Sequence, residues 1–245
     1  MDILDSNLIY GHQAVPAGKS YVRPAELLAE MDRLGIAECW CSDRRAIENY
    51  PPIGNARLCE EISDHDRLHP VWVVLPPATG EMGKPEDLLS AMKDNGVGLV
   101  RSHPDAHGYV PADWCCGELW TALEKHRVPV LLESQHWGEL DEMMRVHPDL
   151  PVILVGVGYR ANRLLYPLLD RHPMLRVETS TYLTNEGLRE ITARFGSERL
   201  IYGSGSPDIC PEEALGTLEY SGLDDEDKQA IACGNLRTLL AGSEL

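Results

Sequence analysis

Arg127-Val128-Pro129-Val130-Leu131-Leu132-Glu133 and, one helix-length later, His147-Pro148-Asp149-Leu150-Pro151-Val152-Ile153-Leu154-Val155 are the passages on which the architecture turns. Each runs through a proline into a short, unbroken run of Val, Ile and Leu, the pattern of a strand buried on both faces. Between them Leu140 and Met144 recur at helical spacing, so the passage spells strand, helix, strand. Strands buried on both faces and joined through helices belong to a parallel sheet.

Reading outward, the same unit recurs along the whole chain. Strand-like segments fall at Ile3–Ile9, Glu38–Cys41, His69–Val74, Gly98–Arg101, Pro129–Glu133, Pro151–Val155, Leu175–Glu178 and Leu200–Gly203. Amphipathic stripes lie between them, among them Leu27, Leu28, Met31 and Leu34, then Leu119 and Leu123, then Leu164, Leu165, Leu168 and Leu169. Arg33-Leu34-Gly35-Ile36 and Asn95-Gly96-Val97-Gly98 end helices with glycine and return the chain to the sheet. This order predicts an α/β protein, a (β/α)8 TIM barrel. At 245 residues it is expected to form a single domain over 1–245. A closing helix is expected over Asp224 to Leu240, opened by acidic residues that suit a helix N-terminus.

Charge narrows the range of partners. With 22 Lys and Arg against 39 Asp and Glu, net charge is −17, which disfavours nucleic acid and anionic membrane because phosphate-rich surfaces require clustered cations. No basic leader opens the chain and no apolar run reaches about 18 residues, so a cytoplasmic protein acting on small molecules is expected. The seven cysteines show no zinc-ribbon pairing and read as reduced thiols. Cys39 and Cys41, two apart in a strand, should point the same way.

In a barrel of this kind functional groups collect at the C-terminal ends of the strands. That rule selects Asn7 and His12, Cys41 to Arg45, Arg101 and His103, Glu133 with Gln135 and His136, Tyr159 and Arg160, Glu178 with Ser180 and Tyr182, and Ser204 to Asp208. Arg101 closes an otherwise apolar strand, where a guanidinium either grips a substrate carboxylate or pairs internally with Glu133 or Glu178. Glu133, following Val130-Leu131-Leu132, stands where a carboxyl can be raised in pKa and act as acid or base. Its alternative is an ion pair with Arg101. His136 is a second catalytic candidate in the next loop. Asn7, Arg101, His103, Tyr159, Glu178 and Tyr182 are candidate substrate contacts. His65, His69, His126, His147 and His172 fall at helix ends or strand starts and read as structural. The glycines of Gly156-Val157-Gly158 and Gly203-Ser204-Gly205 match no nucleotide fingerprint and more simply make room at the barrel mouth.

In this order and spacing the segments resemble the amidohydrolase-related family of barrel hydrolases, decarboxylases and lactonases. The resemblance is carried by Ile3 to Gly11, Asn55, Arg101, Pro129 to Glu133, Pro148 to Leu154, Tyr202-Gly203-Ser204-Gly205-Ser206-Pro207, and Gly234 to Leu240. The family's metal site implies a His-x-His pair on the first strand, histidines on the fifth and sixth, and an aspartate on the eighth. Those places hold Asn7 and Ile9, Glu133, Gly156 and Gly205. The implied ligands therefore do not carry over, and the expectation is no metal and no cofactor.

The resemblance and the residues together point to a metal-independent hydrolase or lyase acting on a small anionic substrate, a carboxylate or a lactone. Two alternatives stand beside it: a non-catalytic binding or regulatory relative, and a metal-dependent enzyme with ligands recruited from Cys41, His12, His103 or His136. Neither nucleic acid nor membrane is an expected partner, and a homodimer is compatible with the family.

Overall fold

Eight parallel strands hydrogen-bond in sequence order from first to last. The computed structural model describes residues 2–15, 18–184 and 186–245. The strands are β1 (Ile3–Tyr10), β2 (Ile36–Asp43), β3 (Leu68–Val73), β4 (Leu99–Ser102), β5 (Val130–Glu133), β6 (Val152–Val155), β7 (Leu175–Glu178) and β8 (Leu200–Ile201). The first half of the chain contributes helices α1 (Pro24–Leu34), α2 (Arg44–Glu48), α3 (Pro51–Ile62), α4 (Pro85–Asp94), α5 (Pro104–His107) and α6 (Asp113–Lys125). The second half contributes α7 (Trp137–Val146), α8 (Asn162–Arg171), α9 (Gly187–Phe195), α10 (Pro211–Glu219), α11 (Asp225–Gln229) and α12 (Asn235–Ala241).

The eighth strand is shorter than expected, ending at Ile201, yet the segment after it still joins β1. Ser6 N donates to Tyr202 O at 3.2 Å, Gly205 N to Asn7 O at 2.9 Å and Ile9 N to Ser206 O at 2.8 Å. Main-chain pairing thus continues around the ring through a segment without regular strand geometry.

Alternation along each strand sorts its side chains into two layers. Leu4, Trp40, Val71, Leu99, Leu131, Ile153 and Ile201 fill the barrel, where they meet Cys233, Leu236 and Leu239 from the C-terminal helical segment. That segment, expected as one helix, is α11, a π-helical turn over Ala230–Gly234 and α12, with Asp224 capping its start. It plugs the barrel, with Asn235 Nδ2 bound to Ser197 O and Leu200 O at 2.8 Å each. Outward-facing residues such as Leu8, Val100, Leu132 and Val177 pack under the helix stripes Leu27 and Met31, Leu119 and Leu123, and Leu165 and Leu169. Cys39 and Cys41 share that outer layer, as their spacing predicts.

Local signals explain the helix ends. Pro24 opens α1, where a missing N–H costs nothing, and Gly35 closes it at φ 72° with its N–H on Met31 O. Asn55 on α3 clamps the end of β3, accepting from Val73 N at 2.9 Å and donating to Val73 O at 2.8 Å. His147 is held between Glu124 and Asp113 at 3.1 and 3.0 Å, and His172 against Asp141 at 2.7 Å. His69 stacks on Trp40 and meets Glu38 at 2.7 Å, so these histidines tie structural elements together. Among the described residues no helix is long and apolar enough to cross a membrane.

Candidate functional site

A slip of register between Asp5 and Leu8 resets the alternation of β1. Leu4 therefore packs inside the barrel and Asn7 and Ile9 also face inward, at its mouth. Arg101 follows inward Leu99, and Glu133 follows inward Leu131. Asn7, Ile9, Arg101, Glu133, Gly156 and Gly205 all line one cavity of about 120 Å³, room for roughly four waters. Val155, Ser180, Thr181, Asp208 and Ile209 complete its wall.

Glycine is required at one position behind this wall. A Cβ on Gly203 would stand 2.3 Å from Glu178 Oε1 and 2.9 Å from Asn7 Cβ, so only glycine lets the Glu178 carboxyl lie between β7 and β1.

Arg101 dominates the electrostatics. It is 2 % exposed, its Nη2 donates to Asn7 Oδ1, and its Nη1 lies 3.5 Å from His103 Nε2. Nε has no partner, and among the described residues no carboxylate forms an ion pair with the guanidinium. Glu133 and Glu178 act on it only through space, while burial pulls its pKa down. The internal pair with Glu133 or Glu178 is thus absent. A buried charge with neutral partners is costly, and an anionic ligand relieves that cost.

The neighbours of Arg101 are arranged around its charge. Burial, and next the Arg101 charge, hold the His103 pKa down at about 2, so the ring is neutral. With Nε2 accepting from Arg101, the proton sits on Nδ1, 3.5 Å from Glu133 Oε2. Asn7 Nδ2 donates to Glu178 Oε2 at 3.1 Å, which turns the amide oxygen toward Arg101. Glu178 also accepts from Ser180 N and Ser180 Oγ at 2.7 Å each. Burial nevertheless pushes its pKa up to about 7, with the nearby Asp5 carboxyl adding to the rise. Asp5 is itself raised by burial; its Oδ1 accepts from Asn7 N at 3.0 Å and Ser204 N at 2.9 Å, and its Oδ2 has no partner.

Of the candidate catalytic and substrate-binding residues, Asn7, Arg101 and Glu133 come together on the cavity, joined by Ser180, Gly205 and Asp208 from the wider strand-end selection. His103 and Glu178 lie behind that wall, touching Arg101 and Asn7 respectively. Three others are not brought there. His136 precedes α7 and pairs with Asp105 at 3.1 Å. Tyr159 is 55 % exposed, its hydroxyl accepting from Arg160 Nε at 3.4 Å. Tyr182 is buried in the outer layer, with its hydroxyl on Asn162 Oδ1 and Tyr166. Missing from the sequence-based contacts are Ile9 and the pair Arg44 and Asp208. Both members of that pair lay in the selected strand-end segments, but nothing local showed that they meet.

The five positions where the family resemblance places metal ligands do converge on the cavity, which makes the donor test direct. Ile9, Gly156 and Gly205 offer no side-chain donor atom, and Asn7 spends its amide oxygen on Arg101. Glu133 alone falls short of the three protein ligands of a catalytic metal site, and a buried guanidinium beside it repels a cation. Recruited ligands do not repair this. Cys41 faces the outer layer, and among the described residues no three His, Cys, Asp or Glu side chains are grouped to hold a metal ion. These residues do not fit a metal.

A family model described as Amidohydrolase matches residues 54–241. Among solved structures, an uncharacterized TIM-barrel protein from Bordetella bronchiseptica is similar at 19% identity and TM-score 0.74, covering 99% of each chain. A dihydroxybenzoic acid decarboxylase from Polaromonas, with bound manganese and the inhibitor 2-nitroresorcinol, is similar at 14% identity and TM-score 0.72, over 98% of this chain and 97% of the other. A probable 2-pyrone-4,6-dicarboxylic acid hydrolase from Acinetobacter baumannii with citric acid bound shows 14% identity and TM-score 0.72, over 98% of this chain and 100% of the other. Comparison with curated proteins finds no match.

Proposed function

The chain belongs to the amidohydrolase family, and on that premise we propose that its barrel mouth binds a small carboxylate or lactone and acts on it as a hydrolase or lyase without a metal. One observation carries this reading: Arg101 is buried, lines the cavity and has no anionic partner among the described residues. The solved neighbours include proteins described as acting on carboxylates, which agrees with it.

In this reading Arg101 grips the substrate carboxylate by paired hydrogen bonds. Glu133, whose side chain is 46% exposed beside it, serves as acid or base. For a lactone, Glu133 takes a proton from water as the oxygen adds to the carbonyl, then returns it to the departing ring oxygen. Neutral His103 orients the Glu133 carboxylate through Nδ1, and Asn7 holds the guanidinium in place.

Screening carboxylates and lactones for turnover, with wild type beside Glu133→Gln, tests the assignment. Turnover by wild type that disappears in a folded Glu133→Gln variant supports it, and equal turnover removes Glu133 from the mechanism. Binding at Arg101 without any turnover would identify the non-catalytic relative, a reading favoured by the loss of every histidine from the five ligand positions.

A further inference from the structure

Asp208 lines the same cavity as Arg101, yet its carboxylate is already taken by a second guanidinium. Arg44, the first residue of α2, donates from Nη1 to Asp208 Oδ2 at 2.7 Å and from Nη2 to Oδ1 at 2.5 Å. The Arg44 side chain is 8% exposed, its Nε has no partner, and Glu48 stands 3.7 Å from Nη1. Gln13 Nε2 reaches Asp208 Oδ1 at 3.4 Å. Two buried guanidiniums thus stand in unequal states: Arg101 lines the cavity and has no anionic partner among the described residues, and Arg44, behind Asp208, is neutralised by a carboxylate of the chain itself.

We infer that Asp208 is a tethered anion that selects ligands bearing a single carboxylate, by masking Arg44 and by setting its own negative charge on the cavity wall. The inference rests on the reading that Arg101 binds a carboxylate. A ligand with one carboxylate meets Arg101 and leaves the Arg44 pair intact. A second carboxylate on the ligand has to displace Asp208 from a bidentate pair or lie against it, and specificity built on such a repulsive element is strong. A pair serving only to fasten the segment after β8 to α2 would not distinguish the two kinds of ligand.

The test is a titration of wild type and Asp208→Ala with propionate and with succinate, followed by NMR shifts. Wild type is expected to prefer propionate. In Asp208→Ala the exposed Arg44 should raise succinate affinity relative to propionate by about tenfold, the effect of one charge-assisted hydrogen bond. Asp208→Asn, which keeps the shape and drops the charge, should give part of that shift and replaces the alanine variant if the latter does not fold. A wild type that prefers succinate, or a preference unchanged in both variants, overturns the inference while leaving Arg101 as the carboxylate site. A wild type that binds neither acid overturns the carboxylate reading itself.

Discussion

Replacing Glu178 with Gln should remove a specific pH dependence of stability. Glu178 is fully buried and its pKa is pushed from the ordinary 4.5 up to about 7. A carboxyl raised in this way binds its proton more tightly in the folded protein than in the unfolded chain. Its contribution to stability is therefore complete below about pH 4.5 and is lost as the pH rises through 7. Between pH 5 and pH 8 the loss comes to about 2–3 kcal/mol, equivalent to roughly 5–10 °C in Tm for a chain of this size. Gln cannot ionise. It also turns an amide nitrogen toward the Asn7 Nδ2 donor or, flipped, toward the Ser180 N–H, a penalty that does not vary with pH. Asp5 is common to both proteins and largely cancels. Denaturant unfolding at the two pH values should show the stability of wild type minus that of Glu178→Gln falling by about 2–3 kcal/mol on going from pH 5 to pH 8. A difference that stays constant would refute the claim that Glu178 is buried with a raised pKa.

Other substitutions address the remaining links. Gly203→Ala places a methyl 2.3 Å from Glu178 Oε1, so overpacking should cost about 1–3 kcal/mol and displace Asn7, read as a lowered Tm together with weakened carboxylate binding. Leu131→Ala, in the middle of the barrel core, should cost about 2–5 kcal/mol in denaturant unfolding. Elemental mass spectrometry on protein purified without tag or chelator should find no stoichiometric zinc, manganese or iron; a metal present at one per chain would contradict the donor test.

The strands were legible because fully buried parallel strands leave an unmistakable trace: Val130-Leu131-Leu132 and Val152-Ile153-Leu154 have no polar residue to confuse the period. Arg101 and Glu133 were legible for the same reason, being polar groups where an apolar run reaches the barrel mouth, and Asn7 by its place in the first strand alone. Beyond the last paired residue that logic lapses. Tyr182 and His136 lie past the ends of β7 and β5, where the chain turns and alternation no longer says which way a side chain faces. The register slip in β1 was hidden as well, since nothing in Asp5-Ser6-Asn7 announces that the phase changes there. Arg44 and Asp208 meet across 164 residues of chain, and such a pair becomes visible only when the ring closes. Gly203 read as making room, but what needed the room, the Glu178 carboxyl, is set by β7 and β1 together.

The most direct measurement is a crystal structure of the protein soaked with propionate. A carboxylate is expected with both oxygens within hydrogen-bonding distance of the Arg101 guanidinium, and that density is expected to be lost in a folded Arg101→Met variant. A metal ion held by Glu133 in that cavity, or propionate bound elsewhere with Arg101 paired to a carboxylate of the chain, would contradict that expectation.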